Sequence, residues 1–187
     1  MYYIGDMAYA EDFYGIPEVL RTNSSIKNRF ISLVNEKSIH GKSVDGQGRV
    51  DDLKSILVQI AIGELELEDS YDEVESKLAR DHSPYSKDNR TFSSRWAERL
   101  VRTQLSRFYN QSVLELLIES GESSCYVPNS VHEKPESKCS SELAGQNHSC
   151  KALLNRLEAT YEDADYSDRS PKVPNHPYCT HVITTPQ

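Results

Sequence analysis

His176, Cys179 and His181 place two imidazoles and a thiol within six consecutive positions near the end of the chain. These are the borderline and soft donors that Zn²⁺ takes in structural sites. Cys179 and His181 are two apart, so in an extended segment both side chains leave the same face. Pro171, Pro174 and Pro177 stiffen the stretch, and Pro177 biases His176 toward extended backbone. All four cysteines, Cys125, Cys139, Cys150 and Cys179, lie in the last third, interleaved with His132, His148, His176 and His181. An even count permits two disulfides, but with no basic, apolar, small-residue leader at Met1-Tyr2-Tyr3-Ile4 the thiols read as metal ligands or free.

Other chemistries fit less well. Cys179 as a nucleophile with His181 or His176 as base needs reactive atoms that converge, and two positions apart on a strand they need not. No oxyanion-hole glycine cluster adjoins them. Glu64, Glu66, Glu68 and Asp69 form an acidic run that reads as a solvated face. Gly41, Gly46 and Gly48 sit in a polar loop without the strand and helix of a phosphate-binding motif. An enzyme is not expected.

The elements that must position the Cys and His residues come from a polar chain. Of its 187 residues, 37% are apolar and 27% charged, which leaves part of the chain to pack on a partner or stay extended. No apolar run reaches the length of a membrane span, so a soluble, non-secreted protein with no membrane partner is expected. A net charge of −8 disfavours nucleic acid as the main partner. Arg95, Arg99 and Arg102 recur at i, i+4, i+7 and read as a solvated helix face, with a DNA contact as the alternative.

Residues 1–23 carry Tyr2, Tyr3, Tyr9, Phe13 and Tyr14 and read as an aromatic arm that contacts a partner, or as rings packed on their own domain. Ser25 is the expected cap of a helix bearing Ile26, Phe30, Leu33 and Val34. Residues 38–48 read as a loop. Asp51 or Asp52 starts a helix with Leu53, Ile56, Leu57, Ile60 and Ala61 on one face, ended by Gly63. Ser70-Tyr71-Asp72-Glu73 has the form of a capping box. Residues 81–91 read as a connection. The longest helix, from Ser93 or Ser94 to Ser120, carries an apolar stripe of Trp96, Leu100, Leu105, Phe108, Tyr109, Val113, Leu116 and Leu117, and Gly121 ends it. Beyond it, Cys125-Tyr126-Val127 reads as a strand, residues 152–157 as a short helix, 161–170 as exposed, and 181–184 as a segment that closes a small sheet. The fold class expected is α+β: a mostly helical N-terminal half, a long central helix, and a small irregular, metal-stabilised C-terminal module with β structure.

These landmarks carry a family resemblance. The stretch 95–110, with Arg102-Thr103-Gln104 and then Tyr109-Asn110, resembles the helix of phage head morphogenesis proteins of the phage Mu F type, where Arg-Thr-Glu precedes Tyr-Asn. Leu143-Ala144-Gly145 after Cys139 is similar to the family's Leu-Asp-Gly after a cysteine pair. Val173-Pro-Asn-His-Pro-Tyr-Cys-Thr-His181 is similar to the family's Pro-rich His-Pro-Asn-Cys-Arg-Cys ending, with His181 at the last Cys. The chain departs from the pattern in Gln104, in having one cysteine before Gly145, and in lacking a C-x-x-C.

The resemblance covers about residues 50–185. It implies a MuF-like domain over 50–187 (helices 50–120, Cys/His module 121–187), with residues 1–49 as an N-terminal arm and helix. It implies a minor head protein of a tailed phage, oligomeric in the virion and present in the host cytoplasm during assembly. Its partners would be the portal and other head or neck proteins, and packaged DNA for some members. A head-to-tail connector is the alternative within structural roles; a zinc-dependent or thiol enzyme is the alternative outside them. The expected ligands are Cys139, His176, Cys179 and His181 around a structural Zn²⁺, with Cys150 or Cys125 as substitutes. In one such arrangement Cys150 ligates while His176 orients the turn. Four protein donors would leave no hydrolytic water and would tie the Gly145 loop to the C-terminal segment.

Overall fold

The computed structural model describes residues 8–46, 48–79 and 92–187. Among these, seven α-helices and one two-stranded sheet form an α+β fold, as the sequence predicts. A 3₁₀ turn at Phe13–Gly15 leads into α1 (Ile16–Thr22), followed by α2 (Ser24–Glu36), α3 (Arg49–Ile62) and α4 (Leu67–Lys77). The long helix α5 (Trp96–Glu119) feeds β1 (Ser124–Val127), then α6 (Lys138–Leu143), β2 (Gln146–Ser149) and α7 (Cys150–Tyr161).

Helix α5 is the axis on which the rest packs: α2, α3, α4 and α7 all lie against it. This is why its burial is not confined to the expected stripe. Leu100, Leu105, Phe108, Tyr109, Val113 and Leu117 are buried as predicted, but so are Gln104, Ser106, Arg107, Asn110, Gln111 and Ser112 on the remaining faces. A helix covered on several sides must satisfy its polar side chains internally. Ser112 Oγ donates to the Phe108 carbonyl, and Asn110 Nδ2 donates to the Ser106 carbonyl at 2.7 Å.

The helix starts differ in detail from the sequence expectation. Asn23, not Ser25, caps α2, its Oδ1 accepting from the N–H groups of Ser25 and Ile26 at 3.1 Å each. Helix α3 begins at Arg49, behind Gly48 at φ +78°, and ends as expected at Gly63, also left-handed. The capping box at Ser70 is not used. Burial of Leu67 in the core starts α4 a turn earlier, and Ser70 Oγ instead donates to the Leu67 carbonyl at 2.5 Å. The connection expected at 81–91 lies outside the described residues.

Two expectations about exposure are corrected. Residues 8–23 are not a free arm: Phe13, Ile16 and Leu20 are fully buried, Phe13 N–H donates to the Thr180 carbonyl, and Ala10 N–H donates to Tyr109 Oη. The apolar rings gain more by burial on this domain than by staying in solvent. Tyr2 and Tyr3 fall outside the described residues. The arginine stripe is likewise not a solvated face throughout. Arg102 is buried, its guanidinium 4.2 Å from the Phe13 ring centroid and within 5.4 Å of those of Tyr14 and Tyr178.

The C-terminal module is built on the β1–β2 hairpin, antiparallel with Cys125 opposite His148. The last segment adds one bridge, Tyr126 and Thr184 exchanging both backbone hydrogen bonds at 3.0 and 2.9 Å, which is the sheet closure expected of residues 181–184. Asn110 Oδ1 accepts from Ile183 N–H at 2.8 Å and so fastens that segment to α5. No helix among the described residues is long and apolar enough to cross a membrane.

Candidate metal centre

The Cys and His residues meet where α6, the loop before it and the turn 176–179 come together. Ser137 caps α6 by accepting from Ser140 N–H, which sets Cys139 in the first turn with its side chain buried. In the C-terminal turn, Cys179 N–H donates to the His176 carbonyl at 3.0 Å, bringing a half-exposed imidazole back over a buried thiol. The Val173–Pro174 peptide ahead of it is cis.

Donor atoms of Glu133, Cys139, His176 and Cys179 all lie within 4.8 Å of one another, a group that could hold a metal ion. Cys139 Sγ is 3.6 Å from His176 Nε2, and Glu133 Oε1 is 3.5 Å from the same nitrogen. In a tetrahedral zinc site with bonds of 2.0–2.3 Å, neighbouring donors stand roughly 3.3–3.8 Å apart, so these two edges already have that length.

The electrostatics match a ligand cluster. Cys139 is held far below the ordinary thiol range, first by its hydrogen bond with Cys179, against burial, and then by His176, His181 and Ser137. Cys179 is pushed up by the same bond and by burial, so of the two thiols it keeps the proton. His176 is raised by its bond with Cys139, against burial, with Glu133 adding to the rise. A thiolate, an imidazole and a carboxylate converging on one point is what a divalent cation neutralises.

Three of the four predicted ligands, Cys139, His176 and Cys179, are thus brought together. His181 is fully buried beside them with both ring nitrogens engaged, Nε2 with Ser140 Oγ at 2.9 Å and Nδ1 with the Pro128 carbonyl at 3.2 Å. It ties α6 to the end of β1. The two substitutes are elsewhere. Cys125 and Cys150 neighbour each other under the hairpin, where burial raises both thiols, and Cys125 Sγ donates to the His148 carbonyl at 3.6 Å. Glu133 is the member that sequence reasoning missed. One acid among 29 Asp and Glu residues carries no spacing signal.

Comparison with family models, with curated proteins and with solved structures finds no match.

Proposed function

We propose that this chain is a structural virion protein of a tailed phage, a minor head protein that binds the portal or inner capsid, with a C-terminal module closed by one structural Zn²⁺. What supports the reading is that the three separated stretches carrying the Mu F-type resemblance converge in space. Asn110, from the α5 motif, holds Ile183 just beyond the C-terminal motif. Cys139, ahead of Leu143-Ala144-Gly145, touches His176 of that same motif. Both contacts run through the C-terminal segment, so motifs that lie dozens of residues apart meet in pairs along it.

Zinc is the ion that suits two thiolates, one imidazole and one carboxylate. Its work would be structural, because an ion there would cross-link the loop of Glu133 and the turn 176–179, which have no helix or strand of their own, to Cys139 in the first turn of α6.

The test is quantitative mass spectrometry of gradient-purified particles, with zinc measured on the same purified chain. A fixed proportion of this chain to the portal protein is expected. A ring-like ratio equal to the portal's own symmetry would instead favour a head-to-tail connector. Confinement to the soluble lysate, away from every particle fraction, would sink the virion reading.

A further inference from the structure

We infer that Glu133 is the fourth metal ligand, and that the exposed loop it belongs to, residues 128–137, is the part of the molecule whose position depends on the ion. The inference rests on the reading of the cluster as a Zn²⁺ site and adds the donor that the Cys/His pattern could not supply.

Glu133 has the geometry of a one-oxygen ligand. Its Oε2 accepts from Thr180 N–H at 3.2 Å, one residue past Cys179, which aims Oε1 at His176 Nε2, 3.5 Å away. The glutamate side chain is only 9% exposed although it rises from a solvent-facing loop. A carboxylate withdrawn from water to that extent needs a positive partner. An imidazole beside a thiolate is the only partner the cluster itself offers, and a bound cation satisfies all three.

His181, the competing fourth donor, lies beside Cys139 but outside the group whose donor atoms all fall within 4.8 Å of one another. Its two ring nitrogens hold Ser140 Oγ and the Pro128 carbonyl, so a metal bond would break one of these and orphan a buried polar group. It acts as a positioning residue, locking the first turn of α6 so that Cys139 faces the site.

The loop makes the difference measurable. No residue from 128 to 137 is buried, and Val131 is 93% exposed. Its ties to the rest are mostly polar: Ser130 Oγ with Thr180 Oγ1 at 2.8 Å, the Pro128 carbonyl with His181 Nδ1 at 3.2 Å, and His132 Nε2 with Asp12 Oδ2 at 3.6 Å, the His132 ring also standing edge-on to that of Tyr14 at 5.0 Å. Cys139 and Cys179 are set in the core with Leu143, Val173 and Val182, and would stay in place without an ion. A metal bond through Glu133 would add to these ties a link from the middle of the loop to the two buried thiols.

The experiment loads the purified full chain with Co²⁺, whose thiolate charge-transfer band reports the two cysteines and whose d–d bands report the number and type of donors. The wild type is expected to show both, and amide exchange across residues 128–137 to slow on metal addition. Glu133→Gln is expected to keep the thiolate band, alter the d–d bands, bind at least tenfold more weakly and lose the metal-dependent protection of the loop. Glu133→His, which restores a nitrogen donor, is expected to recover the affinity. His181→Asn is expected to weaken binding through the loosened first turn of α6 while keeping the thiolate band and the metal-dependent protection of the loop. Unchanged d–d bands and loop protection in Glu133→Gln, or loss of that protection in His181→Asn with the thiolate band retained, would overturn the assignment while leaving the metal site standing. Absence of any thiolate band in the wild type would remove the metal site itself and this inference with it.

Discussion

At the scale of single residues, two arginines on α5 show how little of a side chain's role its spacing conveys. Arg102 and Arg99 are three apart on a face that reads as solvated, yet Arg102 lies beneath Phe13, Tyr14 and Tyr178 and clamps the N-terminal turn and the C-terminal turn onto one helix. Arg107 is more extreme. It is fully buried; its Nη1 donates to the Ser38 carbonyl and to Gln104 Oε1, while Nε and Nη2 have no hydrogen-bond partner among the described residues and Glu162 stands 3.9 Å off. Burial, opposed by Glu162 and then Tyr161, pushes the guanidinium down to about 10. The charge is thus a burden that the packing of the side chain offsets, and the two can be separated. Arg107→Met keeps most of the volume and should fall within about 1 kcal/mol of the wild type, or above it, in urea denaturation. Glu162 remains paired with Lys37 at 2.9 Å, so no new buried charge is stranded. Arg107→Ala should lose about 3 kcal/mol through the void it leaves. Equal losses in the two variants would mean that the charge, not the packing, holds the site.

At the scale of elements, the periodic helices were legible and their ends less so. Ile26, Phe30, Leu33 and Val34 mark α2, and Leu53 to Ala61 mark α3, because each buries one face against neighbours and the 3.6-residue period survives in the sequence. The caps depend on which side chain the backbone turns inward, and three candidates compete within Asn23-Ser24-Ser25. The structure chooses Asn23, whose Nδ2 also reaches the Ala8 carbonyl at 3.4 Å. Asn23→Ala should therefore destabilise by about 1–2 kcal/mol, Asn23→Asp by much less, and Ser25→Ala by next to nothing. Thermal melts of the three would decide it, and a loss in Ser25→Ala matching that in Asn23→Ala would reassign the cap. The candidate metal site is half legible for a related reason. His176 and Cys179 are close in sequence and Cys139 sits by a recognisable glycine, but Glu133 arrives through a loop with no period and no apolar residue in the core. His181 has the residue type of a ligand, which the sequence shows, while its ring nitrogens meet Ser140 Oγ and the Pro128 carbonyl, which only the fold shows.

At the scale of the whole molecule, one core runs from Ala10 to Ile183, so the N-terminal segment and the Cys/His module rise and fall with α5 as a unit. That core also buries acids that ionise only at high pH, which gives the fold a predictable alkaline limit. Burial raises Tyr109 well above the ordinary phenol value and Tyr71 to about 12, and it raises the Cys125 and Cys150 thiols. In each case the folded state holds a proton that the unfolded chain releases, so the contribution is fully present below the unfolded pKa and is lost as pH rises toward the folded one. Arg107 and Lys172 run the other way, since burial holds both below their free values and their burden lightens as they lose the proton, but Tyr9 and Tyr161 join the raised phenols. On the alkaline side, stability should begin to fall near pH 9 as the unfolded thiols ionise, and fall more steeply above about pH 10 as unfolded tyrosines follow. Tyr109→Phe separates the causes. It removes the acceptor of the Ala10 N–H bond and should cost about 1 kcal/mol at neutral pH, yet it should flatten the decline above pH 10 because one raised phenol is gone. Urea denaturation of both proteins from pH 7 to 11 measures the two slopes. If the folded wild type shows all its tyrosines ionising near pH 10 by ultraviolet titration, with the fold still intact, the buried phenols are not what limits it.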